Sequence, residues 1–129
     1  MAATARLYHT AQTHYLRKDF NFNDINIATG VSIGKIPKNA LVLSTHVSVQ
    51  TAFNAATTNT ASVGKTAGGT DLVNAQTLAA VGNTSVAPAT KGGLLDAAND
   101  VELFLQYGQT GTAATAGVGS VVVSYTINH

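Results

Sequence analysis

Cysteine and tryptophan are absent from this 129-residue chain, proline occurs twice, and charged residues make up only 10% of it. Without cysteine there are no disulfides, no thiolate metal sites and no thiol nucleophile, so stability must come from sheet packing and from partner subunits. An ordinary soluble domain carries roughly 25% charged residues, and a free monomer usually needs that charge for solubility. A surface so poor in charge is suited to being covered by other proteins. The formal net charge of +1 gives no field able to hold nucleic acid or an anionic membrane, both of which need clustered Lys or Arg. Arg17-Lys18 and the pair Lys35/Lys38 are the only local concentrations. No segment approaches the roughly 20 apolar residues of a membrane span, and the N-terminus has no run long enough for a signal-peptide core. The protein is therefore expected to be made and kept in a cytosol or to leave it by a route other than secretion, and the sequon Asn83-Thr84-Ser85 reads as chance.

What the chain does have is alternation of apolar and small polar residues, the mark of strands with one buried face. A chain of this length is one domain by the usual prior and buries roughly 68% of the surface its unfolded form exposes. Residues 1–15 read as an extended arm ordered by a neighbour, and residues 16–129 as the folded domain. From Leu16, Phe20 and Phe22 share a face against Asp19, Asn21 and Asn23, and Asn23-Asp24 forms a turn. Ile25 and Ile27 open a short strand, Ala28-Thr29-Gly30 bends the chain, and Val31 and Ile33 continue in alternation. Pro37 sets a turn with Lys38 and Asn39.

The strongest strand follows, with Leu41, Leu43, Val47, Val49 and Thr51 on one parity and Val42, Ser44, His46, Ser48 and Gln50 on the other. Thr58 to Gly64 is a strand with Val63 inward, and Lys65 to Gly69 a turn. Asp71 to Ala80 suits either a strand or a short helix. Val86 and Pro88 lead into Lys91-Gly92-Gly93. Near the C-terminus Val101, Leu103, Leu105 and Tyr107 alternate with Glu102, Phe104 and Gln106. A Gly/Thr/Ala loop and a strand with Val121, Val123, Tyr125 and Ile127 inward then complete an expected hairpin. About eight strands at this spacing, with no fixed repeat, predict an all-β single-domain sandwich of jelly-roll type.

Chemistry finds no constellation. Gly64-Lys65-Thr66 invites a phosphate-loop reading, but position 59 is Asn where the motif needs Gly, and Gly68-Gly69 would break the helix it requires. His9, His14, His46 and His129 lack metal-ligand spacing on a common element. The acids Asp19, Asp24, Asp71, Asp96, Asp100 and Glu102 sit mostly where Asp makes turns, and no serine sits in Gly-x-Ser-x-Gly. No enzyme, cofactor or metal is expected. The aromatics Tyr8, Tyr15, Phe20, Phe22, Phe53, Phe104, Tyr107 and Tyr125 leave a carbohydrate-binding module as an alternative, weakened by the missing tryptophan.

Several phrases also carry a likeness. Arg6-Leu7-Tyr8-His9-Thr10, Ile27 to Val31, Ile36 to Ala40, Thr51-Ala52-Phe53-Asn54-Ala55-Ala56-Thr57-Thr58-Asn59 with Val63-Gly64, Gln109 to Gly117 and the closing Val-rich strand together resemble small virion structural proteins of tailed bacteriophages. The resemblance implies a non-enzymatic head protein of the decoration or cement type, on the capsid exterior and assembled in the host cytoplasm. Its implied partner is the major capsid protein, with a homo-oligomer, dimer or trimer, as the assembling unit. A tail or head-tail connector role is the alternative. Arg6, Tyr8, Arg17 and Lys18 are the expected contact residues for the capsid or a neighbouring subunit.

Overall fold

The computed structural model describes residues 13–88 and 93–127. Among these residues eight strands form in chain order: β1 (Thr13–Asn21), β2 (Val31–Ile36), β3 (Ala40–Thr51), β4 (Thr58–Gly64), β5 (Val73–Thr77), β6 (Gly82–Val86), β7 (Val101–Thr110) and β8 (Val118–Ile127). They make two four-stranded antiparallel sheets, ordered β1-β8-β3-β6 and β2-β7-β4-β5. The ladders pair first strand with last, second with seventh, third with sixth and fourth with fifth. This is the nested pairing of a jelly roll, the architecture expected from the sequence.

Burial explains why these segments pair as they do. β7 buries Val101, Leu103, Leu105 and Tyr107 and β4 buries Asn59, Ala61 and Val63, so each presents one face to the core at period two. Against them β3 sets Val47 and Val49, and β8 sets Val121 and Val123. An aromatic stack spans the core, Phe20 to Phe53 at 5.4 Å and Phe53 to Tyr107 at 4.9 Å between ring centres. Ring pairs at this spacing add to what their burial contributes.

The structure departs from the expected pattern at Ile25 and Ile27, in β3, at β6 and between β7 and β8. Ile25 and Ile27 make no strand: Asn26 takes a left-handed φ of 63°, and the amides of Thr29 and Gly30 both donate to its carbonyl. Ile27 is buried and Ile25 is 85% exposed. In β3 a register shift between Val42 and Ser44 flips the parity, so Ala40 and Val42 face the core with Thr45, Val47 and Val49 while Leu43 faces out. Of the two readings open for Asp71 to Ala80, a strand or a short helix, the strand forms, as β5. β6 forms over Gly82 to Val86, where no strand is marked by the sequence pattern. Finally, β7 and β8 are not a hairpin: the segment from Gly111 to Gly117 carries the chain from one sheet to the other, and β8 pairs with β1 and β3. Thr13, His14 and Tyr15, within the expected arm, are laddered to Thr126, Tyr125 and Ser124.

Candidate functional site

Because the two sheets bury their inner faces against each other, any binding surface must come from the outer faces, the edges or the loops. The outer face of the β1-β8-β3-β6 sheet can be read from its registers. Tyr15, Ser124 and Ser44 form one cross-strand row; Arg17, Val122, His46 and Ser85 the next; Asp19, Ser120, Ser48 and Asn83 a third. Hydroxyls and amides bond within this face: Gln50 Nε2 donates to Ser48 Oγ at 3.1 Å and to Ser120 Oγ at 3.4 Å, and Ser44 Oγ lies 3.5 Å from His46 Nε2. The only charges in these rows are Arg17 and Asp19, which pair with each other at 3.0 Å while both stay exposed. Exposed pairs of this kind contribute little to stability. Exposed apolar groups flank the hydroxyl field, Tyr15 and Leu43 toward one end and Val81 and Val118 toward the other.

Of the expected contact residues, Arg17 belongs to this outer face. Lys18, one position on, shares the parity of Phe20 and is half-buried, so the two neighbouring cations do not act as one patch. An inward-pointing lysine on an edge strand discourages further strand pairing. Arg6 and Tyr8 lie outside the described residues.

The opposite outer face differs. Lys35 stands across from Glu102, and Phe104 across from Ser32 on one side and Gly64 on the other. Gln106 Nε2 donates to the Ala28 carbonyl at 2.9 Å, fastening the β1–β2 connection to this sheet.

A second feature escaped sequence reasoning. The phrases Thr51–Asn59 and Gln109–Gly117 lie against each other at one end of the sandwich. The Asn54 side chain accepts from the Thr115 and Ala116 amides at 2.8 and 3.0 Å, and its Nδ2 donates to Thr115 Oγ1 at 3.0 Å. Below it, buried Asn59 accepts from the Ala55 amide at 2.9 Å and from the Tyr107 hydroxyl at 2.7 Å, and donates to the Ala55 carbonyl at 3.1 Å. Burial pushes the Tyr107 hydroxyl above its ordinary pKa of 10.0. The two asparagines at a spacing of five are the only sequence signal of this brace, and they do not announce their partners.

The Gly64-Lys65-Thr66 and Asp96 segments make turns. After Gly64 the chain turns directly toward β5: the Lys65 amide donates to Asp71 Oδ2 at 2.9 Å and the Gly69 amide to the Thr66 carbonyl at 2.8 Å. No helix follows to cradle phosphate. Asp96 caps a turn by accepting from the Ala98 and Asn99 amides, which hold its carboxyl below the ordinary 3.8. Among the described residues no cluster of three His, Asp or Glu side chains could hold a metal, and no helix is long and apolar enough to cross a membrane. His14 stacks on Tyr125 at 5.6 Å. Phe20, Phe53 and Tyr107 belong to the core.

No family model matches the chain, and no curated protein matches it. Solved structures do. A chain of the cyanophage Pam1 capsid asymmetric unit superposes with a TM-score of 0.71 at 24% identity, covering 99% of this chain and 94% of that one. A chain of the capsid of Ralstonia phage GP4 gives a TM-score of 0.60 at 15% identity, covering 98% and 92%. These likenesses show a shared fold over nearly the full length of each chain.

Proposed function

We propose that this protein is a non-enzymatic structural component of a bacteriophage head, a decoration or cement protein that binds the major capsid protein on the outside of the shell and stabilises it. The observation that carries this reading is the end-to-end fold match to chains from two phage capsids. The nearly uncharged, hydroxyl-rich face of the β1-β8-β3-β6 sheet supports it physically. Small uncharged side chains lose little conformational entropy on burial and avoid the desolvation penalty of ions. Repetition by shell symmetry lets individually modest contacts hold by avidity. The assembling unit is a symmetric homo-oligomer formed in the host cytoplasm.

Residues 1–15, with Arg6 and Tyr8, together with Arg17 and Lys18, are our proposed contact with the shell or a neighbouring subunit, and residues 16–129 the body that presents them. Because β1 is already paired at Thr13, the clean test removes residues 1–12. That variant should keep the sandwich's circular dichroism and melting transition and lose its occupancy on shells stripped of the wild-type protein. Quantifying the intact chain in purified particles tests the wider reading. A copy number comparable with that of the major capsid protein is expected, and a number matching only the tail axis would overturn the decoration role.

A further inference from the structure

Each sheet of the sandwich has two edges, and three of the four are guarded. β1 carries Arg17, Lys18 and Asp19 at its middle, with Lys18 turned inward. β2 has a register shift between Ser32 and Gly34 and carries Lys35. β5 is disturbed by a shift opposite Ala61 and Val63 and by Ala75 at a φ of 53°. Charges, inward lysines and bulges are the devices by which edges avoid pairing. β6 has none of them. Its register with β3 runs unbroken from Val86 opposite Thr45 to Gly82 opposite Val49, and it contains no charge and no proline. Gly82, Asn83, Thr84 and Ser85 are all exposed, including Thr84, whose parity matches the fully buried Val47 beside it. The strand therefore overhangs the core with both faces in solvent.

We propose that β6 is a self-association edge, pairing antiparallel with β6 of a second copy of this chain about a two-fold axis at Thr84. The symmetry dictates the contacts, because an isologous interface must be complementary to itself. Thr84 meets Thr84, Asn83 meets Ser85, Gly82 meets Val86, and exposed Val81 meets exposed Ala87. Thr–Thr and Asn–Ser pairs are hydrogen-bonding cross-strand partners, and no position brings like charges together. The same operation at the middle of β1 would set Arg17, Lys18 or Asp19 against its own copy. Pairing at β6 joins two four-stranded sheets into one of eight strands, β1-β8-β3-β6 continued by its mirror order, and extends the hydroxyl-rich face across both copies. The inference rests on the homo-oligomer in the reading above and names the surface that forms it.

The absence of cysteine makes the register directly testable. In the full-length protein, Thr84→Cys places two thiols on directly opposed residues, whose Cα atoms stand roughly 4.5–5.5 Å apart, within disulfide range. Ser85→Cys places them two residues out of line, at roughly 8 Å, beyond it. Under oxidised glutathione, Thr84→Cys should form disulfide dimer at least about tenfold faster than Ser85→Cys. Thr84→Lys, a change at an exposed side chain that leaves the fold intact, should shift the wild-type dimer to monomer in sedimentation equilibrium. Equal cross-linking of the two cysteine variants, a dimer that survives Thr84→Lys, or a wild-type chain monomeric at every concentration would each overturn the β6 pairing. Shell occupancy, measured on the same variants, reports separately on the decoration role: cross-linking without shell binding would sink that role and leave the edge contact standing.

Discussion

Asn59 offers the sharpest test of how the fold is braced. Its amide satisfies three partners at once: the Ala55 amide, the Ala55 carbonyl and the Tyr107 hydroxyl. Asn59→Ala removes all three bonds and leaves the Ala55 amide and carbonyl unpaired, while Tyr107 keeps only a longer contact of 3.3 Å to Gln109 Oε1. Each buried group left without a partner costs about 1–3 kcal/mol. With Tyr107 partly rescued, the expected loss is about 3 kcal/mol, or roughly 10 °C in melting temperature for a domain of this size. Tyr107→Phe behaves differently, because deleting the hydroxyl leaves Asn59 still accepting from Ala55. It should cost only about 0.5–1.5 kcal/mol. Urea unfolding followed by circular dichroism measures both, and the double variant completes a cycle. An Asn59→Ala cost no greater than that of Tyr107→Phe would show that Asn59 is not a hub of the brace.

Four further outcomes are expected. The Thr45 hydroxyl is buried without a partner, so Thr45→Val should raise stability by about 1 kcal/mol in the same urea experiment. A methyl group on Gly117 would overlap the Phe53 ring, lying 2.6 Å from Cγ and 2.8 Å from Cε2; Gly117→Ala should therefore cost about 1–3 kcal/mol by overpacking, read as a lower denaturation midpoint. The raised Tyr107 hydroxyl binds its proton more tightly folded than unfolded, so its contribution is complete below pH 10.0 and is lost as pH climbs through the folded-state value. Melting temperature should fall in that alkaline range, less steeply in Tyr107→Phe. Asp96 has the opposite sign: its contribution holds above 3.8 and fades as pH drops below it.

The strands most legible in the sequence were those with one wholly buried face. Val101 to Tyr107 and Thr58 to Gly64 keep strict period two because every second residue meets the opposite sheet. β6 was invisible for the converse reason: with both faces in solvent at Asn83 and Thr84, nothing selects apolar residues at either parity. The flipped half of β3 shows a different limit, since one extra residue near Leu43 exchanges the faces while leaving the string of Leu and Val unchanged. Ile25 and Ile27 misled because a single left-handed Asn26 converts an apparent alternation into a turn. At the candidate surface, Arg17 and Lys18 were visible as charge and strand alternation already separates such neighbours, but the β1 register shows which of them joins the outer face. The outer hydroxyl field spans four strands distant in sequence, and no local pattern reports which of them become neighbours.

Nested pairing has a consequence for how the molecule is made. Thr13 meets Thr126, and β8 is the strand that separates β1 from β3 in their sheet. A ribosome therefore delivers β1 and β3 long before the strand that joins them exists, and the apolar sides of both must wait uncovered. Topologies dominated by such distant contacts fold slowly, and chains waiting in this way are prone to aggregate. With charged residues at only 10% of the chain, little repulsion keeps waiting copies apart during that interval.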